Sequence, residues 1–319
     1  MSPDCYYTWI PSPQITSHNG SEIDPSTVFF AAPPPEIGTV LSAQSGLRLD
    51  GSTVLGATGL KVVVSFTFFG MLVGGFLGGG FTNGHWVGVA IGAVVVAALF
   101  GVLMYRRELH RADCTFVGTH GIARFRFPGR NGTRARCDLM CFVDAVDLQS
   151  AFLGRNMGTN FNYQWRSESG KVLFKVEGGH FSKSRSEDPQ SVLHFAQAAE
   201  AAWSAYFMPM LMAEIQRTGS CRFKTQRGIV TQQHAIVGPG FLEIVTNGKP
   251  VRFRTADIDD VVLFQGLIMI RGKNAPQHAI NTADGSNGLC YLSYGCVANV
   301  KTFLMLLTHV VGIAWRNGE

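Results

Sequence analysis

The chain has 319 residues, of which 46% are hydrophobic and only 15% charged, with a formal net charge of +5 and a mean hydropathy of +0.14. Charged residues make up about 25% of an ordinary soluble protein, so this composition argues against a purely soluble chain. Its 37 glycines are too few and too irregularly placed for a collagen-like repeat.

Length allows two or three domains. Residues 1–58 hold five acids (Asp4, Glu22, Asp24, Glu36, Asp50) and one base (Arg48), which leaves +9 on residues 59–319. A mildly basic body suits an anionic membrane surface or a nucleic acid. Seven cysteines, an odd number without framework spacing, fit reduced cytoplasmic thiols better than secreted disulfides.

Residues 1–58 carry Pro11, Pro13, Pro25 and the run Pro33-Pro34-Pro35 among Ser, Thr and Gly, with no hydrophobic period. They read as a disordered Pro/Ser-rich tail, either a solvated leader or a docking motif. No basic segment precedes an apolar one there, so a signal peptide is not expected.

Residues 59–111 read as a two-helix hairpin with a basic segment after it. Val62–Gly80 and Trp86–Tyr105 contain no charge over nineteen and twenty residues. About 20 residues suffice to cross a hydrocarbon core of roughly 30 Å. The pattern therefore predicts transmembrane helices at 62–80 and 86–105. Lys61 before the pair and Arg106, Arg107, His110 and Arg111 after it place both termini in the cytoplasm by the positive-inside rule. Gly70, Gly74 and Gly78 in one helix and Gly84, Gly88 and Gly92 near the other recur every four residues. Small residues at this spacing let helix backbones approach, within the hairpin or between copies. Neither span holds an ionisable residue, so an anchor is expected rather than a transport path.

Residues 112–218 turn strand-rich. Short runs at Thr115–Thr119, Ile122–Phe127, Arg134–Phe142, Asn162–Arg166 and Lys171–Val176 are separated by turn signals. Asp188-Pro189 opens a helix predicted to reach about Phe207, with a kink at Pro209 and a stop at Gly219. Residues 219–319 repeat the plan: several strands, Asn247-Gly248 as a hairpin turn, and a terminal helix over Ala298–Trp315.

The two segments are weak copies of one another. Phe116–Ile122 parallels Phe223–Ile229, Phe142–Leu148 parallels Ala256–Val262, and each copy ends near an Ala-Trp pair, Ala202-Trp203 and Ala314-Trp315. This order, with the run Arg252–Val261, resembles bacterial pleckstrin-homology-like (PH-like) domain proteins in which a two-helix membrane hairpin precedes two tandem domains. The resemblance covers roughly residues 112–315. It implies a membrane-anchored α+β fold with two PH-like antiparallel β-barrels, each capped by a C-terminal α-helix. It also implies binding of phosphoinositides, other anionic lipids or peptides, with many such domains serving protein recruitment instead.

Arg106, Arg107, Arg111, Arg124, Arg126, Arg130, Arg134 and Arg136 fall within 31 residues and are the candidate anionic-lipid or phosphate site. The competing reading is a topology signal plus a solvated strand face. Cys137 and Cys141 lack two further ligands at zinc spacing, so no metal and no cofactor is expected. Asp257, Asp259 and Asp260 read as a capped turn, His194 and His309 as helix residues, and Tyr206–Met212 as an apolar helix between the copies.

The first function reading is a membrane-tethered, non-enzymatic scaffold in the inner membrane. It would sense anionic lipid or recruit a protein, possess a possible homo-oligomeric form, and bind no nucleic acid. Two alternatives stand beside it. One is the regulatory subunit of a membrane enzyme, and the other an oligomeric membrane-shaping or transport component.

Overall fold

The computed structural model describes residues 9–23, 31–46, 57–81, 86–109, 113–126, 136–155, 158–180, 192–224, 233–246, 249–264, 266–273 and 289–317. Two sheet-and-helix units follow one another. In the first, β1 (Val40–Ser45) precedes the helices α1 (Ala57–Phe81) and α2 (Trp86–Leu109). Then come β2 (Asp113–Gly118), β3 (Gly121–Arg126) and β4 (Arg136–Cys141). These four strands form one antiparallel sheet in the order β1-β2-β3-β4. A second sheet holds β5 (Asp147–Arg155), β6 (Gly158–Arg166) and β7 (Val172–His180), and α3 (Val192–Thr218) closes the unit.

The second unit repeats this order. Its first sheet holds β8 (Cys221–Lys224), β9 (Gln233–Gly238), β10 (Phe241–Thr246) and β11 (Lys249–Arg254). Its second holds β12 (Ile258–Phe264), β13 (Leu267–Gly272) and β14 (Leu289–Ser293), followed by α4 (Val300–Leu306) and β15 (Trp315–Asn317). The connection between β10 and β11 is two residues long, because Thr246 pairs with Lys249.

The sheets are open, which corrects the expectation of closed barrels. A 3-10 turn at Phe142–Asp144 interrupts the chain between β4 and β5, and another at Thr255–Asp257 does so between β11 and β12. Each turn starts a new sheet rather than continuing the ladder. The two turns hold equivalent places, one residue out of register with the sequence match between 142–148 and 256–262. The Phe116–Ile122 match is out of step by one strand. It aligns β2 with β8, whereas β1 opens the first sheet and β8 the second.

That slip has a physical origin. The helical hairpin is inserted between β1 and β2, which are antiparallel neighbours with Ser45 opposite Cys114. The chain therefore leaves and re-enters the sheet at adjacent strand ends. The first unit thus begins before the hairpin, not at residue 112.

The leader expected to be disordered is folded over residues 9–23 and 31–46. Both faces of the first sheet are apolar. Val117, Ile122 and Met140 point to a core shared with Trp165, Phe174 and Trp203. Cys114, Phe116, Ala123 and Phe125 point the other way, where Ile37, Ala31, Trp9, Ile15 and Ile23 cover them. Trp9 meets Phe116 edge-on at 5.5 Å. Thr16 bridges to Ser42, and the Ala43 amide donates to the Thr16 carbonyl at 3.1 Å.

Within the hairpin, small residues set the helix separation. A Cβ on Gly74 would run into the Gly92 carbonyl, one on Gly78 into the Gly88 carbonyl, and one on Gly92 into the Gly74 carbonyl. Gly70 lies against Ala97, with a Cβ there 3.1 Å from the Ala97 Cα. Gly84 lies outside the described residues.

Among the described residues, no helix is long and apolar enough to cross a membrane. This corrects the transmembrane assignment and, with it, the inner-membrane location.

Two further boundaries differ. Pro209 does not break α3, which runs unbroken to Thr218. Pro209 is exposed, so the carbonyl it leaves unpaired is accessible to water. Gly219 then ends the helix in the left-handed region at φ +83°. The terminal helix is shorter than expected. After α4 a single π turn (Leu307–Val311) stops at Gly312, φ +82°, and β15 pairs in parallel with β12.

A test of the hairpin follows from Thr67 and Gly101, which face one another: a Cβ on Gly101 would lie 2.8 Å from the Thr67 hydroxyl. Cysteines introduced as Thr67→Cys and Gly101→Cys should form a disulfide readily on mild oxidation. Adding Gly74→Leu should slow that cross-link at least tenfold, since a side chain cannot coexist with the Gly92 backbone. An unchanged rate would show that the glycines do not set the spacing.

Candidate functional site

The arginine face sits at the end of the first sheet, beyond its core. Register places Val117, Ile122 and Met140 in one row, Thr115, Arg124 and Asp138 in the next, and Asp113, Arg126 and Arg136 in the last. Side chains two apart on a strand share a face, so apolar residues grade into a charged patch. Arg124 donates Nε to Asp113 at 2.6 Å and pairs with it at 2.5 Å through Nη2. Arg126 and Arg136 both reach Asp138, each at 3.1 Å.

Three arginines therefore meet two carboxylates, and the patch keeps one net positive charge. Arg124 is largely spent internally, with its side chain 18% exposed, whereas those of Arg126 and Arg136 are 50% and 79% exposed. The structure brings these three together. Arg106 and Arg107 lie in the last turns of α2, where their side chains lie outside the described residues, as do Arg111, Arg130 and Arg134 entirely.

A second polar centre, absent from the sequence reading, lies where the units meet. Asn299 precedes α4 in the left-handed region at φ 55°, ψ 38°, and is buried. Its amide donates to the Leu148 carbonyl at 2.7 Å. Its Oδ1 accepts from the Leu148 amide and from the Trp203 indole N–H, both at 2.8 Å. Gln149 Nε2 donates to the Gly295 carbonyl at 2.8 Å, and Gly295 lies close against Ala151. The second unit thus occupies the edge of β5 that β6 leaves open.

Beside this contact Glu200 of α3 is buried at 5% exposure. Among the described residues, its Oε1 has no hydrogen-bond partner, and neither has the Ser150 hydroxyl or that of Thr302. Burial pushes the Glu200 carboxyl up to about 7, against the pull of Lys301 and the nearby Ser150 hydroxyl. Burial likewise raises Tyr163 and Tyr294, helped by the Glu200 charge. The sequence signal was an acid inside the alanine-rich run 198–202, in step with the buried Ala196 and Trp203.

A third centre holds the leader. His18 is buried between Ser42 Oγ at 2.8 Å and Thr115 Oγ1 at 2.9 Å, and packs on Phe195 with ring centroids 5.1 Å apart. Burial lowers its pKa to about 3, with His194 adding repulsion and Thr115 opposing.

Four of the described thiols are held in the protonated form by burial. Burial holds Cys137 and Cys290 at about 11 and Cys221 at about 12, and also raises Cys141. Thiolate is the reactive form. No group of His, Cys, Asp or Glu among the described residues is placed to hold a metal ion. Asp260 is ion-paired with Arg316 at 2.6 Å, Asp257 and Asp259 are exposed, and so is His309.

The chain matches no protein-family model and no curated protein.

The His18 site predicts an acid-sensitive leader. Its folded pKa lies below the unfolded value, so the stabilisation is complete above about pH 6.5 and is lost as pH falls toward 3. Thermal unfolding at pH 7.5 and pH 4 should show a loss of about 2–4 kcal/mol on acidification beyond that of a His18→Asn variant. Equal losses in both would refute the assignment.

Proposed function

We propose that this chain is a non-enzymatic binding scaffold that recruits a protein partner bearing an acidic segment. The site is the arginine face of the first sheet. One observation carries the reading: Arg126 and Arg136 are cross-strand neighbours, solvent-open, and share a single carboxylate. A carboxylate from a partner would complete the pairing that Asp138 supplies only once. Guanidinium suits this role, because it offers two parallel N–H donors to a carboxylate and stays charged.

Recruitment is the role that the resemblance of residues 112–315 to PH-like domain proteins implies. The basic residue opposite an acid in the second unit is held differently. Arg252 stacks over the Phe241 ring at 3.7 Å and lies opposite Glu243. The high thiol pKa values favour binding over covalent chemistry.

The probe is a fluorescent Glu-rich decapeptide titrated with the full chain at low salt. The account expects binding that weakens about tenfold in Arg126→Gln/Arg136→Gln, roughly 1.4 kcal/mol, and little in Lys175→Gln, a basic residue elsewhere. Binding equal in all three proteins, or none in the parent chain, would contradict it.

A further inference from the structure

We propose that the boundary between the two units is a proton-gated latch, in which Glu200 is protonated while the units are closed on one another and its ionisation loosens them. This inference is independent of the arginine-face reading, because its test contains no ligand.

The argument starts from placement. Glu200 lies on α3, three residues before Trp203, whose indole N–H is bonded to Asn299 of the second unit. The groups facing the carboxyl come from both units. Ser150 of β5 and Tyr163 of β6 belong to the first, and Tyr294 and Lys301, flanking Asn299, to the second. Lys301 is the only cation among these neighbours and is half-buried, one residue before the fully buried Thr302.

A carboxylate in such a place is costly unless it is paired and hydrogen-bonded. Here Oε1 has no partner among the described residues, and the Ser150 hydroxyl lies near enough to favour the anion without making a hydrogen bond of full geometry. The neutral acid removes the charge and supplies an O–H donor to a cluster rich in oxygen acceptors. Loss of the proton to solvent leaves an under-paired anion at the boundary. Separation of the units relieves it by admitting water to the carboxylate. The Asn299 bonds to Leu148 and Trp203 are those that must break.

The sign follows from linkage. A carboxyl that binds its proton more tightly in the closed form makes closure strongest at low pH and weaker as pH rises. With a value of about 7 closed and 4.5 in water, the closed-to-open ratio falls as pH rises across that interval, by up to about 300-fold.

The experiment is amide hydrogen exchange on the full chain between pH 4.5 and 8, expressed as protection factors so that intrinsic base catalysis cancels. The Leu148 and Asn299 amides report the latch, and amides of β9 and β10, away from the His18 site, report the sheet core. The latch amides should lose protection by ten- to 300-fold as pH rises while the core stays constant. Glu200→Gln should abolish that loss. Lys301→Gln, which removes the group favouring the anion, should move it to higher pH. PH-independent latch protection, or a loss that persists in Glu200→Gln, would overturn the proposal. Should Glu200→Gln fail to fold, an unshifted profile in Lys301→Gln would overturn it equally.

Discussion

The contact on which the two halves depend is the side-chain amide of Asn299. A buried indole N–H and a buried strand N–H both need an acceptor, and one oxygen serves both. Leaving either donor bare costs about 1–3 kcal/mol. Asn is among the few residues other than Gly that tolerate the left-handed conformation this position requires. Because the Asn299 backbone also pairs with Leu148, the second unit acts as a neighbour to β5. That strand would otherwise present an open edge, which proteins commonly cover.

The first sheet shows the same logic on its outer face. A sheet apolar on both sides needs two covers. The core with α3 supplies one, and the leader supplies the other. His18 reaches the opposite face through Ser42 and Thr115, so the leader grips the β1 edge from both sides. The hairpin disturbs none of this, because its ends join neighbouring strands. Charge is handled differently at the two polar centres. At the arginine face it remains in water, where exposed pairs are worth about 0–1 kcal/mol and partners can exchange. At Glu200 it is enclosed, and protonation is the available compensation.

Much of this architecture was legible in the chain. Turn dipeptides and alternating apolar residues marked most strands, Gly219 marked a helix end, and the four-residue glycine spacing marked the helix contact. What escaped has identifiable causes. β1 reads Val-Leu-Ser-Ala-Gln-Ser, whose small and polar residues hide a strand covered on both faces. The leader's prolines suggested disorder, yet an irregular cover tolerates them because its backbone needs few ladder bonds. Apolar runs at 62–80 and 86–105 suggested membrane spans, whereas among the described residues no helix is long and apolar enough to cross a membrane. The arginines were visible as a cluster, but their pairing depends on register, which brings Asp113 and Asp138 among them. Asn299 and Glu200 gain their roles only from contacts about 50 to 150 residues distant in sequence.

The most direct test of the central claim uses two buried thiols, Cys114 in the first unit and Cys290 in the second. Denaturant unfolding of the full chain, followed by labelling at each cysteine, reports the two units separately. The account predicts coincident midpoints in the parent chain and separated midpoints in Asn299→Ala, with the less stable unit opening first. Separated midpoints in the parent, or an Asn299→Ala variant that unfolds as the parent does, would show that Asn299 does not join the units.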